Sequence, residues 1–222
     1  MCGRYGLVLT PDQIQVSFDV KLDPSWIFPR YNIAPTQDVL AITLRDGQRA
    51  AEMLAWGLVP HWAKDKKTGY SMINARAESV VEKPTFKQLF KNRRCLIAAD
   101  RFYEWKGEGK DKAPFSIGMK GFRPFTMAGL WTETKLPGEE LVRSCTIITT
   151  DANQFMTPIH NRMPVILPKD AESTWLATNT SEGELRELLI PYDSSDMEAY
   201  EVSRLVNSPK NQSAAVVAPV TS

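Results

Sequence analysis

Short runs of β-branched and aromatic residues, broken by Gly, Pro and charged turns, recur along most of this 222-residue chain. Val39 to Leu44 reads as a strand, Asp46-Gly47 is a hairpin turn signal, and Ala51 to Trp56 returns beside it. Four more runs predict strands: Cys95 to Ala99, Phe115 to Met119, Phe125 to Leu130 and Cys145 to Thr149. Val165 to Leu167 adds a further short one. At the N-terminus, Tyr5 to Leu9 predicts a strand ending at Thr10, which caps a helix with Pro11 in its first position and Gln13 closing a capping box.

Helical spacing is rarer. Phe86, Leu89 and Phe90 recur at helical intervals, and Thr85 with Gln88 has the capping-box spacing, so a helix is expected from about Thr85 to Asn92. Ser173 to Ala177 and Glu182 to Leu189 also read as helical. The tail from Asn211 is small and apolar, either a closing strand over Ala214 to Val217 or a loose end. No repeat, low-complexity tract or long linker divides the chain, so the expectation is an α+β protein forming one domain over residues 1–222.

Composition narrows the function by exclusion. With 27 Lys+Arg against 26 Asp+Glu, the net charge of +1 supplies no global attraction to polyanions. Any nucleic-acid binding must therefore use a local basic patch. Cys2, Cys95 and Cys145 contain no CxxC pair, and His61 and His160 are the only histidines, so neither a disulfide framework nor a metal site is expected, and no cofactor is implied. No signal-like or membrane-spanning apolar run is present, which predicts a cytoplasmic protein with reduced thiols.

The sequence Met1-Cys2-Gly3 carries the most specific chemistry. Methionine is removed when the next side chain is small, and the mature chain is then expected to begin at Cys2. An N-terminal cysteine places an α-amine beside a thiol, with reference pKa values of about 7.7 to 8.0 and about 8.5. Such a 1,2-aminothiol captures aldehydes: the amine forms a Schiff base and the thiol closes it to a five-membered thiazolidine. A cysteine at position 2 can equally be there by chance.

Five further stretches follow Met1-Cys2-Gly3-Arg4 in order. They are Arg30-Tyr31-Asn32-Ile33-Ala34-Pro35, Trp56-Gly57-Leu58-Val59-Pro60, Ile73-Asn74-Ala75-Arg76-Ala77-Glu78, Arg101-Phe102-Tyr103-Glu104-Trp105 and Ile159-His160-Asn161-Arg162-Met163-Pro164. Together they resemble the SOS-response-associated peptidase (SRAP) family, also described as abasic-site processing proteins, with a weaker echo at Val202-Ser203 and Val206-Asn207. The resemblance implies a mixed, mostly antiparallel β-barrel-like core with flanking helices. It also implies a DNA damage-response role on single-stranded DNA, or single-strand/double-strand junctions, around an abasic sugar.

By position in these motifs, Cys2, Asn74, Glu104 and His160 correspond to the active-site set, and Arg4 and Arg76 to phosphate ligands. Trp62 corresponds to an aromatic inserted against the bases, although Ala63 stands where some family members carry a second Trp. The chemistry suits the assignment: Glu104 can shuttle the protons that open the sugar hemiacetal, His160 titrates closest to neutrality, and Asn74 can hold an amine or hydroxyl without adding charge. Removal of a C2′ proton from the Schiff base would give a weak lyase activity.

Plainer readings stand beside these roles. Alternation alone makes Glu104, between Tyr103 and Trp105, a solvent-facing strand residue. Arg76 can be an ion-pair partner of Glu78 or another carboxylate, and His160 can be structural or simply exposed. Lys64 to Gly69 reads as a mobile loop whose lysines face phosphate or solvent.

The expectation is a monomer without membrane association that captures abasic sites covalently through Cys2, nucleoid-associated when bound. Two alternatives use the same residues: a peptidase or amidase in which Cys2 attacks an amide, including autoproteolysis, and a non-covalent single-strand-binding module. Only Met1 precedes Cys2, so self-cleavage is not required to expose it.

Overall fold

The computed structural model describes residues 2–109 and 111–220. In chain order the strands are β1 (Tyr5–Leu7), β2 (Arg30–Ile33), β3 (Asp38–Arg45), β4 (Gln48–Trp56), β5 (Asn74–Arg76), β6 (Arg94–Ala99), β7 (Arg101–Lys106), β8 (Ala113–Met119), β9 (Phe125–Lys135), β10 (Leu141–Asp151), β11 (Arg162–Pro164), β12 (Ile166–Leu167) and β13 (Met197–Glu201). The helices are α1 (Pro11–Phe18), α2 (Pro84–Asn92), α3 (Glu172–Leu176) and α4 (Glu182–Glu187).

Strands β10, β4, β3, β6 and β9 pair in succession, and β9 pairs back to β10, so the five close into a ring. The β4–β10 pairing is parallel and the other four are antiparallel, which makes the barrel mixed but mostly antiparallel. Closure leaves these strands no unpaired edge between them. A second, antiparallel sheet runs β13-β8-β7-β1-β2. The expected α+β class and barrel-like core are both present.

Local chemistry explains several elements. Asp46 and Gly47 have φ of 50° and 78°, the left-handed pair that a two-residue hairpin turn demands, and β3 and β4 pair without a slip from Arg45↔Gln48 to Asp38↔Ala55. Helix α1 begins with the expected box: the Thr10 side chain accepts from the Gln13 amide, and the Gln13 side chain accepts from the Thr10 amide. Helix α2 departs from expectation. It starts at Pro84 with Lys83 at the cap and no side-chain cap bond, so Thr85 lies inside the helix and its box does not form. Proline's fixed φ suits the first helical turn and sets the start instead.

The tail also differs from both expected forms. Residues 214–216 form a 3-10 turn with Val216 fully buried, beside an isolated bridge between Val202 and Pro219. Its apolar content is used for packing against Tyr103, Val202 and Val206. The barrel core is continuous, with Leu40, Ile42, Leu96, Ile97, Leu130 and Ile147 inside it. At one end, Trp175 of α3 packs edge-on to Phe90 of α2 and donates to the Cys95 carbonyl at 3.0 Å. No helix among the described residues is long and apolar enough to cross a membrane.

Candidate functional site

Cys2 lies three residues before the start of β1, which runs between β2 and β7 in the second sheet. The Tyr103 amide donates to the Arg4 carbonyl at 2.9 Å, which extends the β1–β7 pairing towards the N-terminus. From the barrel side, β5 pairs in parallel with β10, Asn74 opposite Ile147, and the Asn74 Nδ2 donates to the Cys2 carbonyl at 2.9 Å. Cys2 is thus held between the two sheets and is fully buried.

Burial pushes the Cys2 thiol well above its ordinary pKa, and the nearby Glu104 charge raises it further. Reactive thiolates are instead stabilised by cationic neighbours or helix N-termini. The thiol is therefore protonated at neutral pH. Asn74 Oδ1 is buried without a hydrogen-bond partner among the described residues, an acceptor held in reserve next to Cys2.

Glu104 is only 4% exposed, which corrects the solvent-facing reading drawn from alternation. Alternation fails because Arg101, Phe102, Tyr103 and Glu104 are all buried, so both faces of β7 are covered here. Burial raises the Glu104 carboxyl to about 7, so it is divided between its two protonation states near neutral pH.

His160 ends a chain reversal organised by Asn153, whose Oδ1 accepts from the Met156 amide, with the His160 amide donating to the Met156 carbonyl at 2.9 Å. Its Nε2 lies 3.9 Å from a Glu104 oxygen, an electrostatic contact rather than a direct hydrogen bond. On the other side of the ring, Nδ1 is 3.0 Å from the Arg162 amide and 3.2 Å from its carbonyl. Acceptance from the amide leaves the ring proton on Nε2, facing Glu104. Burial lowers the His160 pKa, so the imidazole is neutral at pH 7.

Sequence reasoning did not anticipate what fixes this ring. Arg162 binds Glu78 with two nitrogens at 2.5 and 3.1 Å, Asp151 at 2.7 Å and the Thr149 carbonyl at 2.7 Å. That clamp ties β11 to the edge formed by β10 and the residues after β5. Glu78 is therefore engaged by Arg162, whereas Arg76 is exposed and makes no ion pair among the described residues. An Arg76–Glu78 ion pair, the plainer reading of Arg76, is thus not formed. The signal was present, since Glu78 and Arg162 each lie in a motif, but nothing in one sequence couples motifs so far apart.

Trp62 is 55% exposed. Its loop is pinned at the base, where Gly57 and Gly69 approach so closely that a Cβ on Gly69 would lie 2.4 Å from the Gly57 oxygen. Lys64 to Gly69 is not a dangling loop: residues 66–71 form a 3-10 turn, the Asp65 side chain accepts from the Thr68 amide, and Lys66 pairs with Glu139 at 2.8 Å. Ala63 is buried with Val59, Leu136 and Val142, so a second Trp at this position would have to displace that cluster.

The structure brings Cys2, Asn74, Glu104 and His160 together and places Arg4 on the adjoining chain. Trp62 and Arg76 stand exposed on neighbouring segments. A cleft of about 850 Å³, lined by Gln15, Arg49 and Leu176 among others, contains none of these residues. Among the described residues, no group of three or more His, Cys, Asp or Glu side chains is placed to hold a metal ion.

A mixed barrel with a flanking sheet, Cys2 held by Asn74 and a buried Glu104 facing His160 together define the class of protein. The chain belongs to the SOS response associated peptidase (SRAP) family, whose pattern matches residues 1–209. It is 49% identical over 218 residues to abasic site processing protein YoaM of Bacillus subtilis (strain 168), covering 96% of each chain. It is 32% identical to abasic site processing protein YedK of Escherichia coli (strain K12), covering 99% of this chain and all of that one. A crystal structure of a protein from Bacteroides thetaiotaomicron superposes with a TM-score of 0.90 at 26% identity, over 99% of this chain and 100% of that one.

Proposed function

We propose that this protein captures abasic sites in single-stranded DNA by forming a covalent thiazolidine between Cys2 and the open-chain aldehyde of the lesion. The observation that carries the reading is the pairing of a pinned, buried Cys2 with a carboxyl that titrates near 7. With Met1 removed, the Cys2 α-amine attacks C1′, and loss of water from the carbinolamine gives the imine. The thiol then adds across the C=N bond, sulfur to carbon and proton to nitrogen, so one water leaves overall.

Each group has a task in this sequence. Glu104 moves protons during ring opening of the sugar and takes the thiol proton during closure, for which a pKa near the working pH is suited. Neutral His160, with its Nε2 proton towards Glu104, supports dehydration and its reverse. Asn74 orients Cys2 through its carbonyl. Arg4 and Arg76 bind flanking phosphates, and Trp62 stacks on a base, a contact of roughly 1 to 3 kcal/mol. Most of the rate advantage comes from proximity and proton transfer.

The peptidase reading needs a thiolate as the attacking group, and a thiol raised by burial beside a carboxylate opposes it. In the aldehyde reading the amine attacks first and the thiol enters only after the imine has formed. A β-elimination from that imine, giving a weak lyase activity, uses the same Glu104 and His160.

The test is denaturing electrophoresis of protein with a free Cys2, verified by intact mass, mixed with single-stranded DNA carrying one abasic site. The expected result is a shifted band that requires both the lesion and Cys2 and is lost in Cys2→Ala. Absence of the band with a verified free N-terminus would overturn covalent capture.

A further inference from the structure

The segment 203–212 was outside every assigned role, yet it makes some of the longest-range contacts to the site. Asn32, fully buried in β2, donates through Nδ2 to the carbonyls of Val206 at 3.2 Å, Ser208 at 2.9 Å and Asn211 at 3.2 Å. Gln212 completes the junction: its Oε1 accepts from the Asn32 amide at 3.2 Å, and its Nε2 donates to the Asn32 carbonyl at 2.7 Å. The side-chain oxygen of Asn32 is turned the other way and accepts from Arg4 Nη1 at 2.9 Å. The same Nη1 donates to the Val206 carbonyl at 2.5 Å. One residue onward, Asn207 accepts from the Trp105 indole at 2.8 Å, beside Glu104 in β7.

Both acceptors on Arg4 are neutral. They hold the guanidinium through Nη1 without consuming its charge; among the described residues Nε is buried without a hydrogen-bond partner and Nη2 makes no hydrogen bond. An arginine meant only to stabilise the fold would be saturated, as Arg94 is by the carbonyls of Phe90, Lys91, Trp175 and Ala177. A half-held guanidinium presents Nη2 as a charged donor in a fixed direction, which is what a phosphate contact needs.

We infer that Asn32 is a positioning residue, and that the strap 203–212, docked on it, aims Arg4 at a DNA phosphate beside Cys2. The inference rests on the proposed DNA reading and goes beyond it by assigning a task to the strap. Its prediction is that Arg4 loses its phosphate contact when the strap is released, although Arg4 itself is intact.

The experiment measures the salt dependence of binding to single-stranded DNA containing a tetrahydrofuran lesion, which has no aldehyde and so reports binding without the covalent step. Wild type, Arg4→Ala, Asn32→Ala and the double variant are compared, with thermal unfolding run on each. Arg4→Ala should weaken binding roughly ten- to hundredfold and make the log–log salt slope shallower by about 0.7, one single-strand phosphate contact. Asn32→Ala should show the same loss of slope, and the double variant should bind no worse than Arg4→Ala.

Gln212→Ala guards against an unfolded Asn32 variant. Gln212 is exposed and among the described residues its side chain hydrogen-bonds only to the backbone of Asn32 and Pro209, and its replacement should give an intermediate slope with folding retained. A wild-type slope in both folded strap variants, or additive losses in the double variant, would overturn the inference. Failure of wild type to bind this DNA at all would instead remove the DNA reading itself.

Discussion

Asp100 and Glu104 are neighbouring acids on the passage from β6 into β7, 1% and 4% exposed, and burial raises the pKa of both. Their surroundings differ. Asp100 accepts from Arg101 Nε at 2.9 Å and from the Val8 amide at 2.7 Å, so each oxygen has a donor that also fixes β1 against β7. Glu104 faces a neutral imidazole at 3.9 Å and a buried thiol whose pKa it raises. Burial alone does not separate a structural acid from a site acid; what separates them is the chemistry each one faces, a guanidinium and a backbone amide for Asp100, an imidazole and a thiol for Glu104. The same division runs through the molecule. One region contains saturated groups such as Asp100, Arg94 and Glu172, while the other, around Cys2 and Glu104, contains Arg4, Arg76 and Trp62, with charge or surface still available.

The largest expected effects test that division by exchanging each acid for its amide. Asp100→Asn leaves Arg101 buried without its counter-charge and should cost roughly 3 to 5 kcal/mol of stability, read from the denaturant midpoint. The fraction that remains folded should still crosslink. Glu104→Gln should do the reverse, slowing crosslinking by about 10²- to 10⁴-fold while leaving the midpoint at pH 8 equal or higher. If the two amides destabilise alike and crosslink alike, the distinction between the acids is wrong.

A pH series sharpens the contrast. Glu104 has a folded pKa of about 7 against an ordinary value of 4.5, so between these the folded state holds a proton that the unfolded state has released. Stability from this group is therefore lost as pH rises through that window, by about 1.4 kcal/mol per unit and on the order of 3 kcal/mol in all. Asp100, also raised, acts in the same direction, and His160, lowered, acts oppositely below its ordinary pKa. Subtracting the stability curve of Glu104→Gln from that of wild type isolates the Glu104 contribution. The crosslinking rate should carry an inflection near pH 7 that the Gln variant lacks, and a difference curve that is flat from pH 4.5 to 7 would refute the assignment.

Trp62→Ala tests the open region at a lower magnitude. The side chain is 55% exposed, so folding should change by less than about 0.5 kcal/mol, while affinity for single-stranded DNA should fall by roughly 1 to 3 kcal/mol. Calorimetry for stability and fluorescence anisotropy for binding separate the two. An equal loss in both would make Trp62 a packing residue.

Much of the barrel could be read from local pattern, because its strands are apolar runs closed by recognisable turns. Asp46-Gly47 announces the β3–β4 hairpin, and the actual strands mostly extend the expected ones, as β10 does from Cys145–Thr149 to Leu141–Asp151. The short strands β2, β5 and β11 lack that signature: three or four residues long, they are held by register with their partners, β1 and β10, rather than by their own pattern. Candidate site residues were legible one by one in the motifs, but their supports were not. Asn32 holding Arg4, and Glu78 holding Arg162 beside His160, depend on contacts across the chain that neither periodicity nor spacing encodes. Glu104 was misplaced by alternation because packing of the flanking sheet and the C-terminal segment covers both sides of β7.

The smallest expected effect marks where the open region ends. Lys66 is engaged with Glu139, whereas Lys67 is exposed and has no hydrogen bond or ion pair among the described residues, on a turn that Asp65 caps and Gly69 anchors. Availability alone would class Lys67 with Arg4 and Arg76. What it lacks is a fixed direction: no neighbour holds its ammonium, so binding would have to pay the rotamer entropy that Asn32 and Val206 have already removed from Arg4. Lys67→Ala should therefore change stability by less than about 0.5 kcal/mol and leave the salt slope of single-strand binding as in wild type. A slope shallower by about 0.7 would show that an unheld lysine also meets phosphate, and would carry the DNA-facing surface onto this turn.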